Sequence, residues 1–233
     1  MLPRLISLTG KAYDFLFPRR CVGCGREGGF ICPSCRANHL PIIPPVCFRC
    51  GIPLPIGSLC SSCTGWETDI DGIRSAFRFE GPARQAVHQL KYQNLKAIAP
   101  DMAALMVSVM NSEAAPGDVF VPIPLHPKRL RERGYNQSAL LARELGRITG
   151  LAVDEGSLAR QRNTRSQART QNVAERRENV SGAFFCQDHN LKGRSVILVD
   201  DVATSGATLN AGAAALKEAG ALSVWGVTFA REV

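Results

Sequence analysis

The sequence predicts an α/β protein: a mostly parallel sheet with helices on both faces, preceded by a small cysteine-rich module that folds on zinc. Three observations predict this. Eight of the nine cysteines fall between residues 21 and 63 as four CxxC pairs. From residue 71 onward, strand-like apolar runs alternate with helical ones. The segment VILVDDVATSGATL (196–209) then drives a buried strand into two adjacent carboxylates and a loop of small and hydroxyl-bearing residues. With 233 residues, 45% of them apolar, the chain can bury a core, and two units are expected, residues 1–67 and 68–233.

The first stretch, MLPRLISLTGKAYDFLFPRR, places Leu2, Leu5, Ile6 and Leu8 at the spacing of a short amphipathic helix, expected to pack on its own domain rather than on a membrane surface. Arg4, Thr9, Gly10 and Lys11 interrupt any signal-peptide core. No run of about 18 apolar residues exists, so a cytoplasmic protein without stable membrane insertion is expected.

A CxxC turn aims two sulfurs at one point, and two such turns complete a tetrahedral four-thiolate zinc site. A disulfide framework would need an oxidising compartment. Glycine follows the first and third pairs, CVGCG and CFRCG. That repeat suggests sequential sites, Cys21/Cys24/Cys32/Cys35 and Cys47/Cys50/Cys60/Cys63, with two structural zinc ions per chain; nested pairing stays open. Four thiolates leave zinc no open position, which points to a structural or partner-binding module rather than a catalytic one. Two such sites, each formally −2, reduce the formal +8 of the chain to about +4. Pro41, Pro44, Pro45, Pro53 and Pro55 stiffen the loops between the turns.

Beyond Asp71, IRSAFRFE alternates as a strand, and Gly81-Pro82 opens a helix with Ala86, Val87 and Leu90 inward. Residues 99–110 form an apolar helical segment, and DVFVPIP (118–124) a short buried strand. Residues 135–149 read as a helix with Leu140, Leu141, Leu145 and Ile148 on one face. VILV (196–199) is a strand, 206–219 an Ala-rich helix and LSVWGVTFA (222–230) a final strand. Strands alternating with helices imply a parallel sheet covered on both faces. Ligands bind such sheets beyond the carboxyl ends of the strands, which is where Asp200 and Asp201 fall. The loop after them offers free backbone N–H groups and a positive helix end to a phosphate. Gly206 lets the backbone approach, and Thr204, Ser205 and Thr208 add hydroxyls. The carboxylates suit vicinal hydroxyls or a divalent metal. Phosphate, diol and metal together describe a phosphorylated sugar.

VILVDDVATSGAT (196–208) resembles the phosphoribosyl pyrophosphate (PRPP) signature of the type I phosphoribosyltransferases throughout its 13 residues. With the CxxC-rich N-terminus, LKYQN (90–94), VPIPLHPKRLRERGYNQS (121–138) and the stretch carrying Gln167, Arg176, Arg177 and Asn179, the chain resembles the ComF/GntX family over nearly its whole length. That resemblance implies a zinc ribbon joined to a type I phosphoribosyltransferase-like domain, and an association with DNA uptake during natural competence. It implies that Asp200 and Asp201 hold the ribose hydroxyls and serve catalysis, and that Thr204, Ser205, Gly206, Ala207 and Thr208 cradle the 5′-phosphate. Leu125-His126-Pro127-Lys128 would form the pyrophosphate loop, with Arg129 beside it and Mg²⁺ bound together with PRPP.

Departure of pyrophosphate from C1 of ribose concentrates negative charge on the leaving group, which Mg²⁺ and cationic side chains stabilise. Lys128, Arg129, Arg131 and Arg133 cluster where it should lie. His126 is either a donor there or an ordinary loop residue, and Lys91 and Tyr92 either reach the mouth or cap their helix. Residues 126–180 carry twelve Lys/Arg against six Asp/Glu, a surplus of +6. This fits a lid over pyrophosphate or a track for single-stranded DNA, with Tyr135 the nearby stacking candidate. The acceptor pocket is expected from residues 68–95, the ribbon or a partner, such as another DNA-import protein. Cys186 is expected in the core. Metal analysis of the full chain purified without chelator should return about two zinc equivalents; a value near zero with quantitative disulfides would overturn the zinc reading.

Overall fold

The computed structural model describes residues 19–112, 116–161, 180 and 182–233. The expected helix at the N-terminus and Arg165, Gln167, Arg169, Arg176, Arg177 and Asn179 lie outside them. A short helix α1 (Pro33–Ala37) in the cysteine-rich segment is followed by β1 (Gly72–Arg78), α2 (Gly81–Tyr92), α3 (Ala99–Ser112) and β2 (Val119–Pro122). Then come α4 (Pro127–Arg133), α5 (Gln137–Thr149), β3 (Ala152–Val153), β4 (Leu158–Arg160) and β5 (Phe184–Cys186). The chain closes with β6 (Ser195–Ala203), α6 (Ala207–Glu218) and β7 (Ser223–Arg231). No helix among the described residues is long and apolar enough to cross a membrane.

The main sheet has the order β1-β7-β6-β2-β3, and every pairing in it is parallel. Strands buried on both faces read as continuous apolar runs, which is why Val196–Val199 and Val119–Val121 are all buried. One face carries α2, α3 and α5 over a core that includes Leu90, Met102, Leu141, Leu145, Ile197 and Phe229. The other carries α6, over a core of Ile70, Ile73, Leu198, Leu209 and Leu216. The antiparallel pair β4–β5 packs on α6, and Cys186, partly buried there, donates its thiol to the Ala215 carbonyl at 3.4 Å.

The boundaries differ from expectation in three places. β6 does not stop at Val199, because its pairing with β7 continues through Asp200 and Val202 to Ala203. α4 and the β4–β5 pair were not anticipated; α4 buries no residue and so has no apolar periodicity to reveal it. On α5, Leu141 and Leu145 are buried but Ile148 is 39% exposed. The last turn instead presses Gly146 against β3, where an added Cβ would lie 2.5 Å from Val153.

The cysteine-rich segment runs along the outer edge of β1. Ile42 donates to Ala76 at 3.0 Å, Arg78 to Leu40 at 2.8 Å and Ile73 to Arg49 at 2.8 Å. His39 joins the two regions: its Nδ1 lies 2.6 Å from the Cys35 carbonyl and its ring meets Phe77 edge-on at 4.7 Å. The two knuckles repeat each other. Gly25 and Gly51 have φ of 75° and 72°, and their N–H groups donate to Cys21 and Cys47 at 2.8 and 2.9 Å. Their surroundings differ, since a Cβ on Gly51 would lie 2.3 Å from the Ile73 carbonyl oxygen, while nothing lies within 4 Å of one on Gly25. Gly25→Ala should therefore cost only the left-handed strain, about 1–2 kcal/mol, and Gly51→Ala distinctly more. Zinc release timed with a chromogenic chelator checks this, and equal loss in both variants would contradict the packing of the second knuckle on β1.

Candidate functional site

Because β6 remains paired past Val199, both aspartates are strand residues whose side chains leave the sheet at its carboxyl end. Asp201 is 1% exposed. Its Oδ2 lies 2.7 Å from Lys91 Nζ at the end of α2, and its Oδ1 accepts from Gln137 Nε2 at 3.4 Å. Asp200 is half-buried, and its Oδ1 accepts from Ser138 Oγ at 2.8 Å and from the Asp201 N–H at 2.9 Å. Arg133 donates to Gln137 Oε1, and its guanidinium sits 5.7 Å from the centre of the Tyr92 ring. Lys91 thus reaches the mouth rather than capping its helix.

Burial pushes the Asp200 carboxyl up, the Asp201 charge adds to this and Lys91 offsets part of it, leaving a pKa of about 7. Burial works to lower the Lys91 pKa, but the charges of Asp201 and Asp200 outweigh it and hold it above its ordinary value. Arg160 on β4 belongs to the same neighbourhood. Burial lowers its pKa, Arg129 lowers it further and Asp200 counteracts them, so Arg160 feels the charge of both Arg129 and Asp200.

The loop after β6 is held at both ends. The Glu232 N–H donates to Ala203 at 3.0 Å, and Gly206, with φ +78°, caps α6 without a side-chain hydrogen bond of its own. A Cβ there would lie 2.9 Å from Ile73 Cδ1 and 3.8 Å from Trp66. Thr204 is exposed, Ser205 and Thr208 are half-buried, and Ser205 Oγ accepts from the Ala207 N–H at 3.4 Å. His126 caps α4, accepting the Lys128 N–H on Nδ1 at 3.2 Å, while Lys128 is exposed. Tyr135 is not available for stacking: it is 8% exposed, and its hydroxyl donates to the Leu90 carbonyl. An exposed aromatic beside Lys91 is Tyr92, at 64%. The sequence alone assigns no role to Gln137, Ser138 or Arg160. Two polar residues opening the buried stripe of an amphipathic helix were the available signal for the first two.

The cysteines fall into two groups, Cys21/Cys24/Cys32/Cys35 and Cys47/Cys50/Cys60/Cys63, with the ligand sulfurs of each within 4.8 Å of one another; sequential pairing holds. The Cys32 and Cys60 N–H groups donate to Cys21 and Cys47 Sγ at 3.4 Å. Burial works to raise Cys21 and Cys47, yet N–H donors bring both down to about 6. Burial pushes Cys35 up to about 12 and Cys50 up to about 11. Four crowded sulfurs that cannot all ionise alone fit a structural zinc ion, whose charge would let them.

Residues 12–64 match the double zinc ribbon domain family and residues 131–232 the phosphoribosyl transferase domain family. The fold and its mouth therefore define a zinc-ribbon protein with a phosphoribosyltransferase-type domain. DNA utilization protein YhgH of Salmonella typhimurium is 31% identical over 185 residues, covering 77% of this chain and 81% of its own. Competence protein ComFC of Bacillus subtilis is 29% identical over 212 residues, covering 86% and 84%. Competence protein F of Haemophilus influenzae is 27% identical over 227 residues, covering 91% and 97%. The chain belongs to this ComF/GntX family. The solved glutamine PRPP amidotransferase of B. subtilis is similar over 57% of this chain and 26% of its own, at 20% identity and a TM-score of 0.38.

The Asp200 carboxyl gives a pH signature. Its folded pKa of about 7 exceeds the ordinary unfolded value of about 3.9. The folded chain therefore keeps a proton that the unfolded chain has released, and its stability falls as pH rises through that window. The melting temperature of Asp200→Asn relative to the parent should rise from about pH 4 to pH 7 and level off above it. A constant difference would contradict the burial of Asp200 beside Asp201.

Proposed function

We propose that this mouth binds PRPP with Mg²⁺, and that the chain transfers the phosphoribosyl group to a nucleophilic acceptor with release of pyrophosphate, in the DNA-uptake and DNA-utilization setting for which its relatives are named. The observation that carries the reading is the direct succession of two carboxylates at the end of β6 and a Gly206-capped α6 N-terminus without a capping side chain from that glycine. Phosphate oxygens suit the N–H groups and hydroxyls of Thr204, Ser205, Gly206, Ala207 and Thr208. Asp200 and Asp201 are the groups that would hold the ribose diol or the metal. Mg²⁺ arriving with PRPP would supply charge neutralisation on the pyrophosphate. Lys128, Arg129 and Arg160 add fixed positive charge on the leaving-group side, and His126, with Nδ1 committed to its helix, retains Nε2 for the ligand. The C1–O bond to pyrophosphate breaks with its electron pair leaving on pyrophosphate. The acceptor's lone pair forms the new bond to C1, and the acceptor proton passes to solvent.

A second reading has its own support: the same fold binding single-stranded DNA or a DNA-import partner without turnover. α4 presents Lys128, Arg129, Arg131 and Arg133 with no buried residue, and exposed Tyr92 stands beside Arg133, a pairing suited to phosphates and a stacked base. Calorimetry with PRPP and Mg²⁺ should give clear binding to the parent and at least about a tenfold loss in Asp200→Asn/Asp201→Asn, a change of about 1.4 kcal/mol. Undiminished binding in that variant, still folded, would move the site elsewhere. Pyrophosphate release with candidate acceptors separates the readings, since its absence alongside salt-dependent DNA binding would favour the second.

A further inference from the structure

Asp201 already has a cationic partner. Its Oδ1 is engaged by Gln137, while Oδ2 is held by the ammonium of Lys91, 2.7 Å away, in a charge-assisted contact. The Lys91 side chain is 22% exposed, so part of it still touches solvent at the mouth. It stands in the last turn of α2, where the negative helix end also favours a cation. The groups around the pair come from separate elements: Asp200 from β6, Gln137 and Ser138 from α5, Arg133 from α4, Arg160 from β4 and Tyr92 from α2. Of these, Lys91 is the one that forms an ion pair with either aspartate among the described residues.

We propose that Lys91 is a gating and positioning residue: in the ligand-free chain its ammonium neutralises Asp201 and keeps free divalent cations off the aspartate pair, and it leaves Asp201 for phosphate oxygens when a metal-bound phosphate ester arrives. The hand-over rests on reading the mouth as a magnesium–PRPP site; the exclusion of free cations does not. Two adjacent carboxylates with an open oxygen are a common beginning of a divalent-metal site. An ammonium at 2.7 Å occupies that oxygen and repels a second cation by Coulomb's law. Once a ligand brings its own cation and several anionic oxygens, the balance reverses. The Lys stem is long and flexible, and Arg160, which feels the charge of both Arg129 and Asp200, would help draw the ligand's phosphates towards the mouth. Such a device would make metal entry conditional on the phosphate ester, so that cation alone is not taken up.

The test uses the full, zinc-loaded chain and Mn²⁺ as the probe, followed by electron paramagnetic resonance of the free ion without PRPP. Lys91→Met should bind Mn²⁺ at least about tenfold more tightly than the parent. Lys91→Arg should behave as the parent, and Lys91→Met/Asp201→Asn should lose the gain. With Mg²⁺ and PRPP, Lys91→Met should bind PRPP more weakly than the parent despite its stronger hold on metal, a split that a purely structural lysine would not produce. If Lys91→Met fails to fold, Lys91→Gln, which keeps a donor beside Asp201, takes its place with the same expectations. Equal Mn²⁺ affinity in the parent and the neutral variant overturns the exclusion. Equal PRPP affinity overturns the hand-over. A parent that binds no PRPP removes the proposed function and the hand-over together, and leaves exclusion to be decided by the Mn²⁺ measurement alone.

Discussion

β6 lies between β7 and β2, and its pairing with β7 continues through both aspartates. A strand fixed in register cannot turn its carboxylates away from the core, so Asp201 must be buried, and a buried charge is stable only if it is paired and hydrogen-bonded. The partners follow from this constraint. Lys91 has to come from the end of α2, and Gln137 and Ser138 from the first turn of α5. On the same face of the sheet α3 packs against α5 and over β1 and β7. The polar residues at the head of α5 are thus explained by the strand opposite them, and the apolar stripe behind them by the sheet.

Much of this was legible in the sequence. Local signals sufficed where the determining contact is local: CxxC turns with a following glycine, an Asp-Asp step into a Thr-Ser-Gly-Ala-Thr loop, and the apolar spacing of Ala86, Val87 and Leu90. They failed where a distant residue decides. Tyr135 is the aromatic nearest the basic run and so the stacking candidate, but Leu90, 45 positions away, receives its hydroxyl. Lys91 could not be assigned because its partner lies 110 residues along the chain. Ile148 sat on a correct helical stripe, yet the close approach of Gly146 to β3 rotates the contact away from it. Arg160 was one of several arginines in a polar run until the β4–β5 pair brought it to Asp200.

The zinc ribbon is also more than an appendage. Trp66, just past its last cysteine, packs with the second four-cysteine cluster. Its carbonyl accepts from Arg49, and its ring comes close to Gly206. Asn210 on α6 accepts the N–H groups of Asp69 and Ile70 at 2.9 and 3.2 Å. The second cluster therefore backs the same loop to which the proposed function assigns the phosphate, and the geometry of that loop is shared between the cysteine module and the sheet.

The pairing of β1 with β7 has a consequence for how the molecule is made. Gly72 meets Trp225, and Arg78 meets Arg231, across some 150 positions. On the ribosome the first strand of the sheet has to wait for nearly the whole of synthesis before its partner emerges, and contacts of such long range form slowly. The cysteine module has no such delay. Its ligands span residues 21–63, and it can close on metal while the rest of the chain is still being built. Once closed, its segment at residues 40–42 can cover one edge of β1 through that interval, leaving a single open edge of this strand exposed to mispairing until the last strand arrives.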